Sequence, residues 1–268
     1  MDPTIDSIKV GSRVIIGKYG AGAGTPEPIV WLKATPNCDF ISEDVIDCIC
    51  FDEREPLNQA EPTARWAGNA DYKLSNILKF ICSDQGEWYF KSHTEDNPPH
   101  YAGHPGFLYY FEEYEVDSIA METYEVMGSQ VSSIIRLPSE AGILGDRRFP
   151  LFKKRGVRPH PSESLAANKP GLEFTKTAAQ YAPFWCAESG PGYVRTPGTK
   201  VMTIGRDGYL RPKYPADSCG LRPVCTMKPE KRLELIDKGL YTLIPYDVTH
   251  DEVYTDAEIL ALLGLTRP

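Results

Sequence analysis

The fold of this 268-residue chain is decided by its most strand-rich stretch, residues 200–227, which reads KVMTIGRDGYLRPKYPADSCGLRPVCTM. The β-branched run at its start is followed by Asp207-Gly208, a dipeptide that favours the tight turn of a β-hairpin. Another apolar run, Gly220 to Met227, comes shortly after that hairpin. Short strands in close succession predict an antiparallel meander.

A second hairpin is predicted near the N-terminus. The runs Arg13–Tyr19 and Ile29–Ala34 are rich in β-branched and aromatic residues, and a loop of Gly, Ala and Pro joins them. The apolar run 40–51 mixes strand and helix signals, so its type stays open. The run Val131–Leu137 predicts a further strand.

Two helices are predicted between these strands. Residues 71–81 place an apolar stripe at helical spacing, formed by Leu74, Ile77, Leu78 and Ile81. A second helix is expected after Gly106, with one apolar side formed by Phe107, Leu108, Phe111 and Tyr114. The long stretches 93–105 and 138–180, rich in Gly and Pro, predict irregular loops. The fold class is therefore expected to be α+β.

The chain divides into a domain, residues 1–227, and a C-terminal arm, residues 228–268. In the arm, Thr255 to Glu258 has the pattern of a capping box and starts a helix near 255–263. Its apolar face is formed by Ile259, Leu260, Leu262 and Leu263. So short a helix is not stable alone, so we expect this face to dock on a partner.

Charge and composition exclude several classes of function. The net charge of −8 repels phosphate, so no nucleic-acid partner is expected. No apolar run approaches the ~18 residues of a membrane span, and the acidic start of the chain does not resemble a signal peptide. The seven cysteines contain no C-x-x-C pair, which favours reduced thiols and a protein made in a cytoplasm.

The chemistry of catalysis is largely missing from the sequence. The loop Gly20 to Gly24 leads into a strand rather than a helix, so it is no phosphate loop. Common hydrolase and NTPase motifs are absent, and we expect neither catalytic residues nor a cofactor. His93, His100 and His104 are weak metal candidates in an irregular loop, and no metal is expected. Cys219 and Cys225 are expected to pack in the core.

Binding is the more promising chemistry, because aromatic residues on loops can contact sugars or proteins. Part of the following set is expected to line a binding face: Trp66, Trp88, Tyr89, Tyr101, Tyr193 and Tyr209. The residues predicted to contact a ligand are Trp185, Glu188, Tyr193, Arg195 and Tyr209.

Several segments, in order, resemble a domain-of-unknown-function family from phages, prophages and surface proteins of Gram-positive bacteria. In the first half they are DYKLSNILKFICSD at 71–84, Gly86 to Tyr89, Asp96 to Pro99, and Gly106 to Leu108. In the second half they are Phe184 to Ser189, Val201, Asp207-Gly208 and Gly220 to Val224. The chain departs from the family pattern at Phe80 to Cys82 and at Cys186 to Glu188.

This resemblance implies a C-type-lectin-like domain of short antiparallel sheets, two helices and long loops. It also implies a structural closing motif, Asp207, Gly208, Gly220, Arg222 and Pro223, in which Arg222 pairs with a carboxylate or with carbonyls. The implied function is a non-enzymatic virion protein, assembled in the host cytoplasm, that binds a receptor or glycan or decorates the particle. Other virion proteins, including copies of itself, would be its partners. A metal-dependent enzyme on a formylglycine-generating-enzyme-like fold and a purely structural capsid, tail or baseplate subunit remain alternatives.

Overall fold

The computed structural model describes residues 2–21, 24–60, 62–88, 101, 103–138, 184–190, 200–204 and 210–245. Within these ranges the chain is mostly β, with a few short helices. The strands are β1 (Arg13–Tyr19), β2 (Glu27–Lys33), β3 (Asp39–Ser42), β4 (Asp47–Cys50), β5 (Glu122–Val126), β6 (Ser129–Ser133), β7 (Ile135–Arg136), β8 (Phe184–Gly190), β9 (Lys200–Ile204), β10 (Leu210–Lys213), β11 (Ser218–Leu221), β12 (Val224–Thr226), β13 (Leu233–Asp237) and β14 (Leu240–Leu243). The helices are α1 (Ala64–Ala67), α2 (Asn76–Ile81) and α3 (Glu113–Asp117), with a 3-10 helix at Tyr72–Leu74.

Two large sheets and one ribbon contain these strands. The seven-stranded sheet has the order β13-β14-β1-β2-β3-β12-β7, the five-stranded sheet β10-β9-β8-β11-β4, and the ribbon is β5-β6. Neighbouring strands are antiparallel except for β1 with β14 and β8 with β11. The predicted hairpins β1/β2 and β9/β10 are confirmed. Asp207 and Gly208, between β9 and β10, lie outside the described residues.

The chain crosses from one large sheet to the other at two adjacent places. The run 40–51, for which the sequence left helix and strand open, forms two strands. Strand β3 pairs with β12 in one sheet, and β4 pairs with β11 in the other. The single strand expected over Gly220 to Met227 is corrected accordingly, because β11 and β12 are separated by Arg222 and Pro223. A proline has no N–H for a strand ladder, which favours an interruption there.

Both predicted helices are shorter than expected. Ser75 has an extended backbone and its hydroxyl accepts a bond from the Leu78 N–H at 3.3 Å, so α2 starts after Ser75. Leu74 therefore stays outside the helix and is 44% exposed. The chain after Gly106 forms turns instead of a helix, and α3 begins only where Glu112 and Glu115 form a capping box.

Strands β13 and β14 come from the segment that the sequence analysis assigned to the C-terminal arm. Residues 240–242 pair in parallel with Arg13 to Ile15, and β13 pairs with β14. The N-terminal segment also bonds there, since the Leu233 N–H donates to the Pro3 carbonyl at 2.8 Å. The expected arm helix, with its apolar face of Ile259, Leu260, Leu262 and Leu263, lies outside the described residues.

One apolar core draws on both large sheets. Its aromatic centre is Phe80 of α2, which contacts the rings of Tyr19, Trp88, Tyr101 and Phe107 at centroid distances from 5.4 to 6.5 Å. This cluster fixes α2 against the sheets. In the part of the chain that is described, no helix combines the length and the apolar composition that a membrane crossing requires.

Candidate functional site

Of the residues predicted to contact a ligand, the structure describes the side chain of Trp185. Trp185 on β8 is fully buried, its ring lies 5.7 Å from that of Phe51, and its indole N–H donates to the Ile49 carbonyl at 2.9 Å. The structure thus places Trp185 in the core and not on a binding surface. Glu188 follows on the same strand, but its side chain is outside the described part. Tyr193, Arg195 and Tyr209 lie outside it altogether.

The described part of the closing motif, Gly220, Arg222 and Pro223, lies where the chain changes sheets. Arg222 is fully buried there, and its guanidinium donates to the Ser42 carbonyl at 2.9 Å and to the Glu43 carbonyl at 3.3 Å. Burial lowers the pKa of Arg222 to about 9, against the opposing effect of Asp44 and Glu43. The Pro223 carbonyl accepts the Ser42 N–H at 3.0 Å. Arg222 thus joins the two crossings of the chain.

The thiols beside this motif are poorly suited to chemistry. Cys219 is on β11 and Cys225 is on β12, so the two cysteines belong to different sheets. Next to Cys219, Gly220 pairs with Cys48 of β4. Burial raises the pKa of Cys219 to about 12 and that of Cys225 well above its ordinary value. Because the thiolate is the reactive form, neither sulfur is an activated nucleophile at neutral pH.

His104 belongs to a buried polar trio. Its Nδ1 lies 3.4 Å from both the Asp47 carboxylate and the Tyr19 hydroxyl, and that hydroxyl donates to Asp47 at 2.5 Å. Burial, followed by the charge of Asp47, raises the pKa of Tyr19, so its phenol stays a donor. His93 and His100 lie outside the described residues. Among the described residues, no group of three or more His, Cys, Asp or Glu side chains could hold a metal ion.

An aromatic pair is exposed on another part of the surface. Trp66 of α1 is 53% exposed, and its ring meets that of Tyr214 edge to face, with centroids 5.1 Å apart. The ammonium of Lys200 lies over the ring of Tyr214, 4.6 Å from the ring centroid. The sequence indicated Trp66 as a candidate but not Tyr214, because the two come from distant segments with no shared motif.

Backbone contacts hold α1, and with it Trp66, in place. The Ala216 N–H donates to the Ala67 carbonyl at 2.9 Å, which ties α1 to the segment that carries Tyr214. Gly68 follows with a φ of +74°, and a Cβ there would lie only 2.4 Å from the Asp52 carbonyl oxygen. A helix of one turn is unstable alone, so these contacts create the rigid aromatic surface.

A buried carboxyl group, that of Asp52, lies close to the end of α1. Asp52 accepts the backbone N–H groups of Asn69 and Asn76, each at 2.8 Å. Burial raises the pKa of Asp52 to about 7, although these two bonds lower it. Within the described residues, Glu55 nearby has one buried carboxylate oxygen with no hydrogen-bond partner. Two buried carboxyl groups, those of Asp52 and Glu55, therefore lie beside α1.

Comparison with known proteins identifies no relative: no family model, no curated protein and no solved structure matches this chain. The resemblance of the ordered motifs to the phage family therefore stays a prediction.

Proposed function

We propose that the protein is a non-enzymatic binding module of a phage particle that recognises a cell-surface glycan through Trp66 and Tyr214. The observation that carries this proposal is the exposed indole of Trp66, fixed by α1 and by the ring of Tyr214. An aromatic face of this kind offers a flat apolar surface to the C–H groups of a sugar ring, and its polar edge remains hydrated. Little side-chain freedom remains to be lost on binding.

The C-type-lectin-like fold and the virion setting in this proposal rest on the resemblance of the ordered motifs. The buried Arg222 and the change of sheet at Pro223 are compatible with a structural closing motif. In this setting the chain assembles in the host cytoplasm, and the segment after Pro245 attaches it to other virion proteins, including further copies. Binding of a protein receptor in place of a glycan, or decoration of the particle, would use the same attachment to other virion proteins.

The two alternative functions, an enzyme and a purely structural subunit, require different features of the protein. An enzyme of the formylglycine-generating type would use an activated thiol, whereas the pKa values of Cys219 and Cys225 are raised. This observation favours binding over thiolate chemistry. A purely structural subunit would bury the surface of Trp66 in its neighbours and have no affinity for glycans.

The test is glycan-array binding of the purified protein, followed by titration calorimetry with the best ligand. Trp66→Ala should weaken binding at least roughly tenfold, as expected for loss of an aromatic anchor. The matched control is Tyr109→Ala, which removes another exposed ring, 48% exposed and also edge to face with a neighbour, Tyr110. Equal binding by both variants, or no glycan binding by the unaltered protein, would overturn the proposal.

A further inference from the structure

Basic residues accompany the aromatic pair, although the protein as a whole is acidic, with a net charge of −8. Arg65 precedes Trp66 on α1 and is exposed. Lys213 precedes Tyr214 in the chain, and Lys200 lies against the ring of Tyr214. Of the acidic residues near α1, Asp52 and Glu55 are buried, whereas Asp217 is exposed and its backbone N–H donates to the Tyr214 carbonyl at 3.0 Å. Three basic residues therefore accompany the two rings, with one exposed acidic residue, Asp217, among the neighbours named here.

The two cations that precede the ring residues in the chain are held by backbone carbonyls rather than by carboxylates. Arg65 Nε donates to the Asn58 carbonyl at 2.5 Å, and Lys213 Nζ donates to the Ser218 carbonyl at 2.6 Å. Among the described residues, neither forms an ion pair. Several other bases are instead paired with carboxylates, such as Arg136 with Asp39 at 2.8 Å.

This difference matters for what the surface attracts. A neutral carbonyl positions a cation but leaves its charge, so Arg65 and Lys213 keep their positive charge next to the two residues that carry the rings. The guanidinium of Arg65 also keeps its two terminal nitrogens, which suit a carboxylate or phosphate group. A neutral sugar would use the rings alone and leave this charge without a counterpart.

We propose that the Trp66–Tyr214 surface is selective for anionic saccharides, whose rings stack on Trp66 while their acidic groups face Arg65 and Lys213. This inference rests on the proposed function, because it specifies the glycan that the same surface takes. Uronic acids and sugar phosphates both provide the required combination of a C–H face and a fixed negative charge. The two sources are separated by testing one of each.

The probes are a tri-galacturonate, its fully methyl-esterified neutral counterpart, and a poly(hexose phosphate) of similar charge. We expect the unaltered protein to bind at least one anionic probe roughly tenfold more tightly than the neutral ester, and this preference should shrink as salt screens the charges. Comparison of the uronate with the phosphate polymer then tells which acidic group is preferred.

The variants Arg65→Gln and Lys213→Gln remove the charge and keep an unbranched polar side chain. Each should weaken binding of the anionic probe about three- to tenfold and leave binding of the neutral ester unchanged. The control is Lys238→Gln, an exposed lysine next to the end of β13 in the other large sheet, which should change neither.

Equal affinity for charged and neutral probes, or an equal loss in Lys238→Gln, would overturn the inference. If neutral saccharides still bind and require Trp66, the proposed function stands and only its charge preference is wrong. If no saccharide of either kind binds, both fall together.

Discussion

At the scale of single residues, Arg222 is the side chain on which the crossing between the sheets depends most. Its guanidinium bonds the carbonyls of Ser42 and Glu43, and both crossings of the chain meet there. Arg222→Met would keep much of the volume but leave these carbonyls without their donor. We expect a loss of about 3 kcal/mol in the free energy of unfolding, measured by urea denaturation.

The control for Arg222 is Arg13, another arginine directed at Glu43. Its guanidinium lies 3.6 Å from the Glu43 carboxylate at a solvent-exposed position. Arg13→Gln should change the free energy of unfolding by less than about 1 kcal/mol, because exposed ion pairs contribute little. A similar small change in both variants would show that burial of Arg222 does not stabilise the crossing.

Asp52 predicts a pH dependence of stability. Its pKa is raised to about 7 in the folded protein, whereas an unfolded chain has an aspartate pKa of about 3.9. Between these values the folded state keeps a proton that the unfolded state releases. The free energy of unfolding should therefore fall as pH rises from about 4 to about 7, by up to roughly 4 kcal/mol, and level off above that range.

Asp52→Asn should flatten this dependence, because an amide does not titrate. Its overall stability will also fall, since one backbone N–H then faces an amide N–H group, so the slope with pH is the quantity to compare. Asp84→Asn, at an exposed position, is the control and should keep the slope of the unaltered protein. An unchanged slope in Asp52→Asn would assign the titration to another group.

At the scale of elements, Gly17 determines how β1 meets the segment around α3. Its φ is +69°, it lies at a register shift in β1, and its N–H donates to the Glu115 carboxylate at 2.8 Å. A Cβ there would lie 2.3 Å from the Phe111 ring. Gly17→Ala should cost about 2 to 4 kcal/mol from strain and overpacking together, measured by thermal unfolding.

Gly11→Ala separates these two causes. Gly11 also has a positive φ, +92°, but a Cβ there meets nothing within 4 Å. Its replacement should cost about 1 kcal/mol from backbone strain alone. If both variants lose the same amount, Phe111 moves aside freely and does not constrain β1.

Elements that depend on local signals were the ones predicted well. The β1/β2 and β9/β10 hairpins follow from neighbouring runs and turn residues, and their pairing is confirmed. The division of 220–227 between two sheets was not predictable, because it depends on β3 and β4, far away in the sequence. The Trp66–Tyr214 pair was missed for the same reason, since it exists only after Ala216 bonds Ala67.

At the scale of the whole molecule, the described C-terminal strands belong to the domain sheet. Deletion of Val253 to Pro268 removes none of the described strands, so the truncated protein should remain folded but fail to form its assembly. Deletion of residues 228–268 removes β13 and β14 and exposes the edge of β1, so it should unfold or aggregate. Circular dichroism and native mass spectrometry distinguish these outcomes. Unfolding after the shorter deletion would instead place the terminal helix in the core.

The parallel pairing of β1 with β14 also has a mechanical consequence. A pull on the chain beyond Pro245 acts along β14, which lies between β13 and β1 and is hydrogen bonded to both. Such a force loads the bonds on both sides of the strand in shear, so they share it and must break together. A tether attached at this end would therefore bear tension through the sheet before the domain began to unravel.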